Sequence, residues 1–557
     1  MQADVLILGG GTAGCVMAAR LSADPARRVV LVEPGRDITA ADMPPRLRSR
    51  YPGRAYLDPS NIWADLTARL GGAPRRYEQA RILGGGSAIN ALMSNRGAPG
   101  DYDQWVDLGA TGWGWQDILP VFRAIESDRD IDDDWHGQDG PLQVRRASDA
   151  RLSPFVRRVM QTLDRRGHPI RADQNGEWCD GTFRGVVGYD DNGERQPTSV
   201  TWLTPEVLRR PNLTVLTGQR AVRLTMQGRR ITGGEIHGPQ GPRIIAATEV
   251  VLTAGAIHSP ALLLRAGIGP AAHLGRMGIP VVADLPVGRN LMEHPSIAVA
   301  AFLPPAMRVH GMNEHHEQAV WRYSSGVAGM PVGDMHGAIL SRSGWHAVGA
   351  RLGSIFFWVN KACSRGEVTL ASADPLREPV VDFRMLSDGR DLVRLKMALL
   401  RGAEVLADPM MGGACDTVFP ASYTPRVARV AAPGLWNATQ RGLLAGMLDI
   451  AGPLRPALVR ALITQGQTMQ ALASDDDRLT DFVRAHVGGT WHPSGTCRMG
   501  RAGDPNAVTD AQGRVHGIGG LRVADASIMP SIPCANTNVP TIMIAERIAA
   551  FLRESAH

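Results

Sequence analysis

A histidine and an asparagine near the end of the chain have side chains suited to proton chemistry. His492 stands in WHPSGTCRMG (residues 491–500), and Asn536 follows 44 positions later in ANTNVPT (residues 535–541). An imidazole with a pKa near 6.5 is largely neutral at pH 7 and can accept a proton. An amide N–H can hold an oxygen on which negative charge develops. Two other roles stay open, a core position for His492 and a helix N-cap before Thr541 for Asn536.

The elements that must position these residues begin with a nucleotide-binding unit. VLIL (residues 5–8) predicts a strand buried on both faces, and it leads directly into GGGTAG (residues 9–14), which fits G-x-G-x-x-G. Residues 15–21 suit a helix packed on a sheet, and RVVLV (residues 28–32) predicts a second strand that ends at Glu33. The alternative is an ordinary strand-turn-helix corner.

The glycine pattern predicts how this unit holds a dinucleotide. The first glycine allows the tight turn, the second lets the backbone approach a pyrophosphate, and the third lets helix and strand pack closely. Glu33 stands where a carboxylate accepts hydrogen bonds from the adenosine ribose, which disfavours a 2′-phosphate. The loop and helix start are expected to contact the cofactor through Gly9, Gly11, Thr12, Ala13 and Gly14. This unit alone does not separate NAD from FAD.

Further motifs resemble those of one enzyme family. ARILGGGSAIN (residues 80–90) resembles the first signature of the glucose-methanol-choline (GMC) oxidoreductases, and GAIHSPALLLRAGIG (residues 255–269) resembles the second. Residues 491–500 resemble the catalytic histidine motif of that family, and Asn536 matches its second catalytic position. Family-like stretches cover nearly the whole chain. The resemblance implies FAD as the cofactor.

The resemblance also implies further cofactor contacts. These are expected at Trp63, Gly86, Asn90, Val222, Asp525, Ala526 and Thr537. Gly86 and Asn90 would lie against the isoalloxazine and the diphosphate, and the backbone of Val222 would hydrogen-bond adenine. Asp525 and the backbone of Ala526 would bind the diphosphate and ribityl region. His258, inside the second signature, is expected to have a packing role.

The activity implied by the resemblance is alcohol oxidation. A hydride passes from the carbinol carbon to flavin N5, His492 takes the hydroxyl proton, and Asn536 orients the hydroxyl oxygen. Likeness to one subgroup favours primary aromatic or furanic alcohols, with hydrated aldehydes as a second class and oxygen as the acceptor. The alternatives are a choline-type or other alcohol dehydrogenase that uses a quinone or another acceptor, and a hydroxynitrile lyase.

The predicted fold class is α/β, or α+β overall, with two domains. Residues 1–150, 210–300 and 485–557 form a discontinuous Rossmann-like FAD-binding domain. Residues 150–210 and 301–484 form a substrate domain, which the resemblance makes an antiparallel sheet with helices. Residues 354–360 predict one strand of that sheet. Met93, Trp358 and Trp491 are the candidates for the substrate pocket wall, with core packing an equal alternative for Trp358.

Composition narrows the class of protein. With 557 residues, at least two packed regions are expected. The net charge of +6 comes without a block of basic residues, so nucleic acid is not an expected partner. Apolar runs fall short of the ~20 residues that span a bilayer, and no secretory signal is recognised, which predicts a cytoplasmic enzyme. No metal-ligand spacing is recognised among His310, His315, His316, His336 and His346.

Overall fold

The computed structural model describes residues 1–39, 41–309, 311, 314–421 and 429–554, so His310 lies outside the described residues. Its first sheet has a strand at the centre that starts almost at the N-terminus. The strands run from one edge to the other in the order Leu213–Leu216, Val29–Val32, Gln2–Leu8, Gly241–Leu252, Arg230–Gly238 and Arg220–Gln227. Leu521–Val523, from near the C-terminus, pairs in parallel with Gly241–Leu252.

The predicted nucleotide-binding unit has its expected form. Gln2–Leu8 and Val29–Val32 are parallel neighbours, and helix Thr12–Leu21 connects them. The helix packs against the C-terminal helix Asn538–Glu554. Both strands are covered by helices or loops, which explains their continuous apolar sequences.

The second sheet is almost entirely antiparallel. Its order is Asp416–Ala421, Ser296–Phe302, Leu352–Val359, Met335–Leu340, Glu317–Tyr323, Gly181–Arg184 and Ile170–Arg171. Helix Gly389–Leu406 packs so closely on one face that a Cβ at Gly402 would lie 2.5 Å from the Phe357 ring. The α/β class with a second, antiparallel sheet is therefore confirmed.

The strand predicted at residues 354–360 is observed as Leu352–Val359. Phe357 faces helix Gly389–Leu406 and is fully buried, as alternation along the strand requires. Trp358 points to the opposite face, where its ring stacks on His336 with 3.8 Å between ring centroids.

The chain crosses between the two sheets at a point slightly different from the predicted one. Strand Ser296–Phe302 pairs with Leu352–Val359 in the second sheet, so the predicted boundary between residues 300 and 301 falls inside a strand. The other described strands form two smaller sheets. One contains Thr67–Arg69, Arg75–Arg76, Glu367–Thr369 and Val380–Asp382, and the other contains Glu126–Asp128, Leu142–Arg146 and Val186–Gly188.

The described residues also form further helices. The longer ones are Pro99–Asp107, Trp115–Ile125, Pro154–Arg165, Gly255–Arg265, Leu435–Ile450, Arg455–Leu462 and Asp476–His486. The shorter ones are Pro45–Arg48, Gly86–Ile89, Thr198–Thr201, Pro205–Leu208, Ala271–Arg276 and Met469–Ala473.

Within the described ranges, no single helix has both the length and the apolar composition needed to cross a membrane. Leu435–Ile450 and Gly452–Leu462 meet that test only as a pair, and they are bent by 119° relative to each other.

Candidate active site

One large cavity joins the nucleotide-binding loop to the histidine and asparagine near the C-terminus. Its volume is about 400 Å³. Ligand-binding cavities in proteins are typically about 300–1,000 Å³, so this space has the size of a binding site. The expected cofactor residues on its wall are Gly9, Gly11, Thr12, Ala13, Glu33, Trp63, Gly86, Asn90, Asp525, Ala526 and Thr537.

Two glycine-rich loops form the floor of the cavity. A Cβ at Gly85 would lie 2.6 Å from the Cα of Gly11, so the two backbones touch directly. A Cβ at Gly86 would meet no atom within 4 Å, which leaves open space above that backbone. Gly14 does not line the cavity, but a Cβ there would lie 1.9 Å from the Gly9 carbonyl oxygen. This bare backbone surface fits a flavin dinucleotide pressed against it.

Glu33 closes one end of the cavity. Its carboxylate accepts the backbone N–H of Gly10 at 2.9 Å and that of Gly35 at 2.7 Å. Burial raises the pKa of Glu33 to about 7, although those two hydrogen bonds oppose the shift. Remaining lone pairs are available for ribose hydroxyls.

Asp525 follows the strand Leu521–Val523 and organises the middle of the cavity. Its carboxylate accepts the Ser259 hydroxyl at 2.6 Å and the backbone N–H of Gly255 at 2.8 Å. These contacts tie the C-terminal segment to the start of helix Gly255–Arg265. Asn90 is held by Arg195, which donates to its side-chain oxygen at 2.9 Å.

Trp63 and His258 form an aromatic wall on the cavity. Their ring centroids lie 4.3 Å apart, and His258 is also 2.8 Å from the Glu378 carboxylate. His258 therefore combines the expected packing role with a place on the cavity wall. Val222 is buried away from that wall, where the strand register shifts between Ala221 and Arg223.

His492 is fixed by a buried polar group behind it. Its backbone N–H donates to the Glu293 carboxylate, with distances of 2.9 and 3.0 Å to the two oxygens. Its ring Nδ1 lies 2.7 Å from Thr490 Oγ1 and 2.9 Å from His294 Nδ1. Burial lowers the pKa of His492 to about 3, so the ring is neutral.

These contacts determine which ring nitrogen of His492 carries the proton. His294 Nε2 lies 3.1 Å from the Pro533 carbonyl oxygen and must donate to it. Burial lowers the pKa of His294 well below its usual value, so its Nδ1 has no proton and accepts one from His492. The Thr490 hydroxyl donates to Glu293 at 2.9 Å and likewise accepts from His492. His492 therefore has its proton on Nδ1 and an unprotonated Nε2 that can accept a hydrogen bond or a proton.

Asn536 faces that Nε2 atom. Its side-chain nitrogen lies 3.3 Å from His492 Nε2, and its oxygen accepts a hydrogen bond from Asn95 at 2.6 Å. The C-terminal helix begins at Asn538, so Asn536 precedes the cap position that was its alternative role. Asn536 and His492 both line the cavity.

The three residues expected to form the substrate wall lie in different places. Met93 and Trp491 line the cavity near His492. Trp491 is half exposed, has a positive φ of 61° and donates its indole N–H to Glu78 at 3.1 Å. Trp358 does not line the cavity, because His336 stacks on its ring and the side chain is packed in the protein interior.

Two groups of buried side chains among the described residues have the composition of metal ligands. They are Glu293 with His294 and His492, and Glu126 with Asp128 and His136. In the first group, hydrogen bonds within the group or to protein donors already occupy the ligand atoms. The second group belongs to a network with Arg96, Arg146 and Asp173.

The supporting residues of the site escaped sequence reasoning. Glu293, His294 and Thr490 hold His492, and Asn95 with Gln174 holds Asn536. Asn95 lies in NRGAP (residues 95–99) and Gln174 in DQNG (residues 173–176). No local sequence pattern indicates which residue either side chain hydrogen-bonds.

Comparisons with known proteins agree with the motifs. Models of the N- and C-terminal parts of GMC oxidoreductases match residues 3–296 and 362–545. A 5-(hydroxymethyl)furfural oxidase of Methylovorus sp. is 42% identical over 98% of each chain. An oxygen-dependent choline dehydrogenase of Brucella anthropi is 30% identical over 98% of this chain and 95% of its own.

A solved structure extends the likeness to the whole fold. Pyridoxine 4-oxidase from Mesorbium loti matches all of both chains with a TM-score of 0.83 and 28% identity. Together with the glycine floor and the Glu33 carboxylate, these matches confirm the resemblance seen in the sequence. The chain belongs to the GMC oxidoreductase family and is an FAD-dependent oxidoreductase.

Proposed function

We propose that this protein oxidises primary alcohols that carry an aromatic or furanic ring, accepts hydrated aldehydes as a second class, and passes the electrons to oxygen. The observation that carries the proposal is the unprotonated Nε2 of His492, 3.3 Å from the Asn536 amide nitrogen on the cavity wall. The name of the Methylovorus relative supports the choice of substrate.

His492 and Asn536 have different roles at the reacting oxygen, one as proton acceptor and the other as hydrogen-bond donor. Bound FAD would supply the acceptor for the hydride that leaves the carbinol carbon. His492 Nε2 takes the hydroxyl proton, and the acceptors at its Nδ1 stabilise the imidazolium that results. The Asn536 N–H donates to the same oxygen as negative charge develops on it.

The cavity wall disfavours an anionic substrate and offers apolar surface for a ring. Leu92, Met93 and Trp491 contribute apolar surface near His492. No Lys or Arg occurs among the described residues that line the cavity, so a carboxylate substrate would lack a cation partner there. A hydrated aldehyde presents a hydroxyl and a C–H in the arrangement of an alcohol.

Anaerobic flavin bleaching tests the proposal directly. Benzyl alcohol and furfuryl alcohol should bleach the flavin absorbance at saturating concentration, whereas choline and glucose should not. Aerobic turnover should then form hydrogen peroxide in proportion to the aldehyde. Bleaching by choline alone, or cyanide release from a cyanohydrin without bleaching, would overturn the substrate assignment. A reduced flavin that persists in air and is reoxidised by a quinone would overturn the acceptor.

A further inference from the structure

We propose that Gln174 and Asn95 are positioning residues that set which end of the Asn536 amide faces the reacting oxygen. The inference rests on the proposed function, since it assigns a cause to the orientation of Asn536. An amide has a donor end and an acceptor end of nearly equal size. Only the nitrogen end stabilises a developing alkoxide, because the oxygen end would repel it.

The direction of the hydrogen bonds follows from a fixed starting point. The backbone N–H of Val186 can only donate, and it lies 3.2 Å from the side-chain oxygen of Gln174. The Gln174 nitrogen then donates to the Asn95 oxygen at 2.8 Å. The Asn95 nitrogen donates to the Asn536 oxygen at 2.6 Å, which leaves the Asn536 nitrogen toward His492.

Reversing any amide in this series would bring two donors or two acceptors together. Asn95 and Gln174 are 3% and 4% exposed, so water is largely excluded from correcting the mismatch. A buried polar group without a partner costs about 1–3 kcal/mol. The series therefore strongly favours one orientation of Asn536.

The segments that carry the two amides are anchored by a buried ion cluster. Asp173 precedes Gln174 and contacts His136 at 3.0 Å and Arg146 at 2.8 Å. Arg96 follows Asn95 and pairs with Glu126.

His136 is the cationic centre of this cluster. Burial lowers its pKa, but hydrogen bonds to Asp128, Asp173 and Glu126 outweigh burial and raise the pKa to about 11. A permanent charge at His136 holds both segments in place at any physiological pH.

Replacing Asn95 by Asp would reverse the hydrogen bond between residue 95 and Asn536 while keeping nearly the same side-chain shape. The new carboxylate accepts from Gln174 but cannot donate to Asn536, so the Asn536 amide turns its nitrogen toward residue 95 and its oxygen toward the site. The limiting rate of anaerobic flavin reduction should fall about tenfold or more, toward the 10²–10³-fold loss of one oxyanion donor. The substrate concentration for half-maximal reduction should change little, because charge develops only in the transition state.

The pH dependence of flavin reduction distinguishes reversal of the Asn536 amide from general damage to the site. Below its pKa the new carboxyl group regains an O–H that donates to Asn536, so the Asn95→Asp enzyme should reduce its flavin faster as the pH falls. Burial raises the pKa of such a group, which brings the recovery into an accessible range. Asn95→Ala, which imposes neither orientation, should lose less activity than Asn95→Asp and show no recovery.

Asn360→Asp is the matched control, since Asn360 is a buried amide whose side chain bonds Trp358 and the Gly333 carbonyl instead of Asn95 or Asn536. It should leave the reduction rate within about twofold of wild type. If Asn95→Asp does not retain FAD, Gln174→Glu replaces it, because a carboxylate at 174 reverses the whole series. Equal losses in Asn360→Asp and Asn95→Asp, or no recovery at low pH, would overturn the proposal. An unchanged rate in Asn536→Ala would instead overturn the proposed function.

Discussion

In the proposed reaction His492 and Asn536 contact the same substrate oxygen, and each presents a different group to it. His492 offers a lone pair and Asn536 offers an N–H. His492→Ala should slow anaerobic flavin reduction about 10²–10⁴-fold with FAD still bound, because general-base catalysis is lost. Asn536→Ala should cost less, because His492 still takes the proton. Stopped-flow absorbance with a good alcohol measures both, and a near wild-type rate in His492→Ala would refute the assigned base.

The low pKa of His492 predicts an unusual pH profile. The active base is the neutral ring, and burial lowers its pKa to about 3. The base is therefore present above about pH 4 and is lost only as the pH falls through 3. The rate of flavin reduction in the wild-type enzyme should be flat between about pH 5 and 9. A decline with a midpoint near 6.5 would show that His492 titrates like an exposed histidine.

The sequence predicts the proposed reacting pair but not the residues that hold it in place. His492 and Asn536 stand in motifs of ten and seven residues that can be read locally. Glu293 and His294 lie about 200 positions from His492, and Asn95 lies 441 positions from Asn536. One sequence contains no signal that joins such distant positions.

At the scale of elements, the first glycine loop depends on contact between helix Thr12–Leu21 and the preceding turn. A Cβ at Gly14 would lie 1.9 Å from the Gly9 carbonyl oxygen. Gly14→Ala should therefore push the helix from the loop, destabilise the fold by at least about 1–3 kcal/mol and lower the FAD content. The ratio of flavin to protein absorbance and the melting temperature measure these effects.

Gly275→Ala is the matched control for this change. Gly275 lies in helix Ala271–Arg276, and a Cβ there would meet no atom within 4 Å. Alanine should leave FAD content unchanged and stabilise the protein slightly. Equal FAD content in the two variants would show that the close contact at Gly14 is not needed.

The elements themselves were largely predictable because their patterns are local. The apolar runs and the glycine spacing indicated the first strands and helix. Aromatic and β-branched residues indicated the strand at residues 354–360, which is observed as Leu352–Val359. Alternation did not say what covers each face of that strand. Trp358 lies against His336 rather than on the cavity wall, because the stacking partner comes from the neighbouring strand Met335–Leu340.

For the whole molecule, buried histidines should control stability below neutral pH. Burial lowers the pKa of ten of the described histidines: His168, His258, His273, His294, His315, His316, His336, His346, His486 and His492. Near pH 6.5 and below, the unfolded chain binds protons at these positions and the folded protein does not. The free energy of unfolding should therefore fall as the pH falls from 6.5 to 5, by up to about 1.4 kcal/mol per pH unit for each group.

Five of the described carboxyl groups act in the opposite direction: Glu33, Glu249, Glu293, Glu317 and Asp525. Burial raises their pKa values, to about 7 for Glu33 and about 8 for Glu317, so these groups favour the folded state at lower pH. Five such groups offset only part of the effect of ten histidines. Urea denaturation with excess FAD should give a lower midpoint at pH 5.0 than at 6.5, and the reverse order would contradict the burial of neutral histidines.

The cavity is bounded by segments more than 500 residues apart in sequence, and this orders the steps by which the site forms during synthesis. Thr12 donates to Asn538, 526 residues later, and the Asp525 segment lies at the middle of the cavity. At roughly 5–20 residues per second, the ribosome needs about 30–100 s to pass from one partner to the other. During that interval the first nucleotide-binding loop lacks the far wall of the cavity. We therefore expect the complete flavin site to form only after helix Asn538–Glu554 has been synthesised, and a chain truncated before that helix to be colourless.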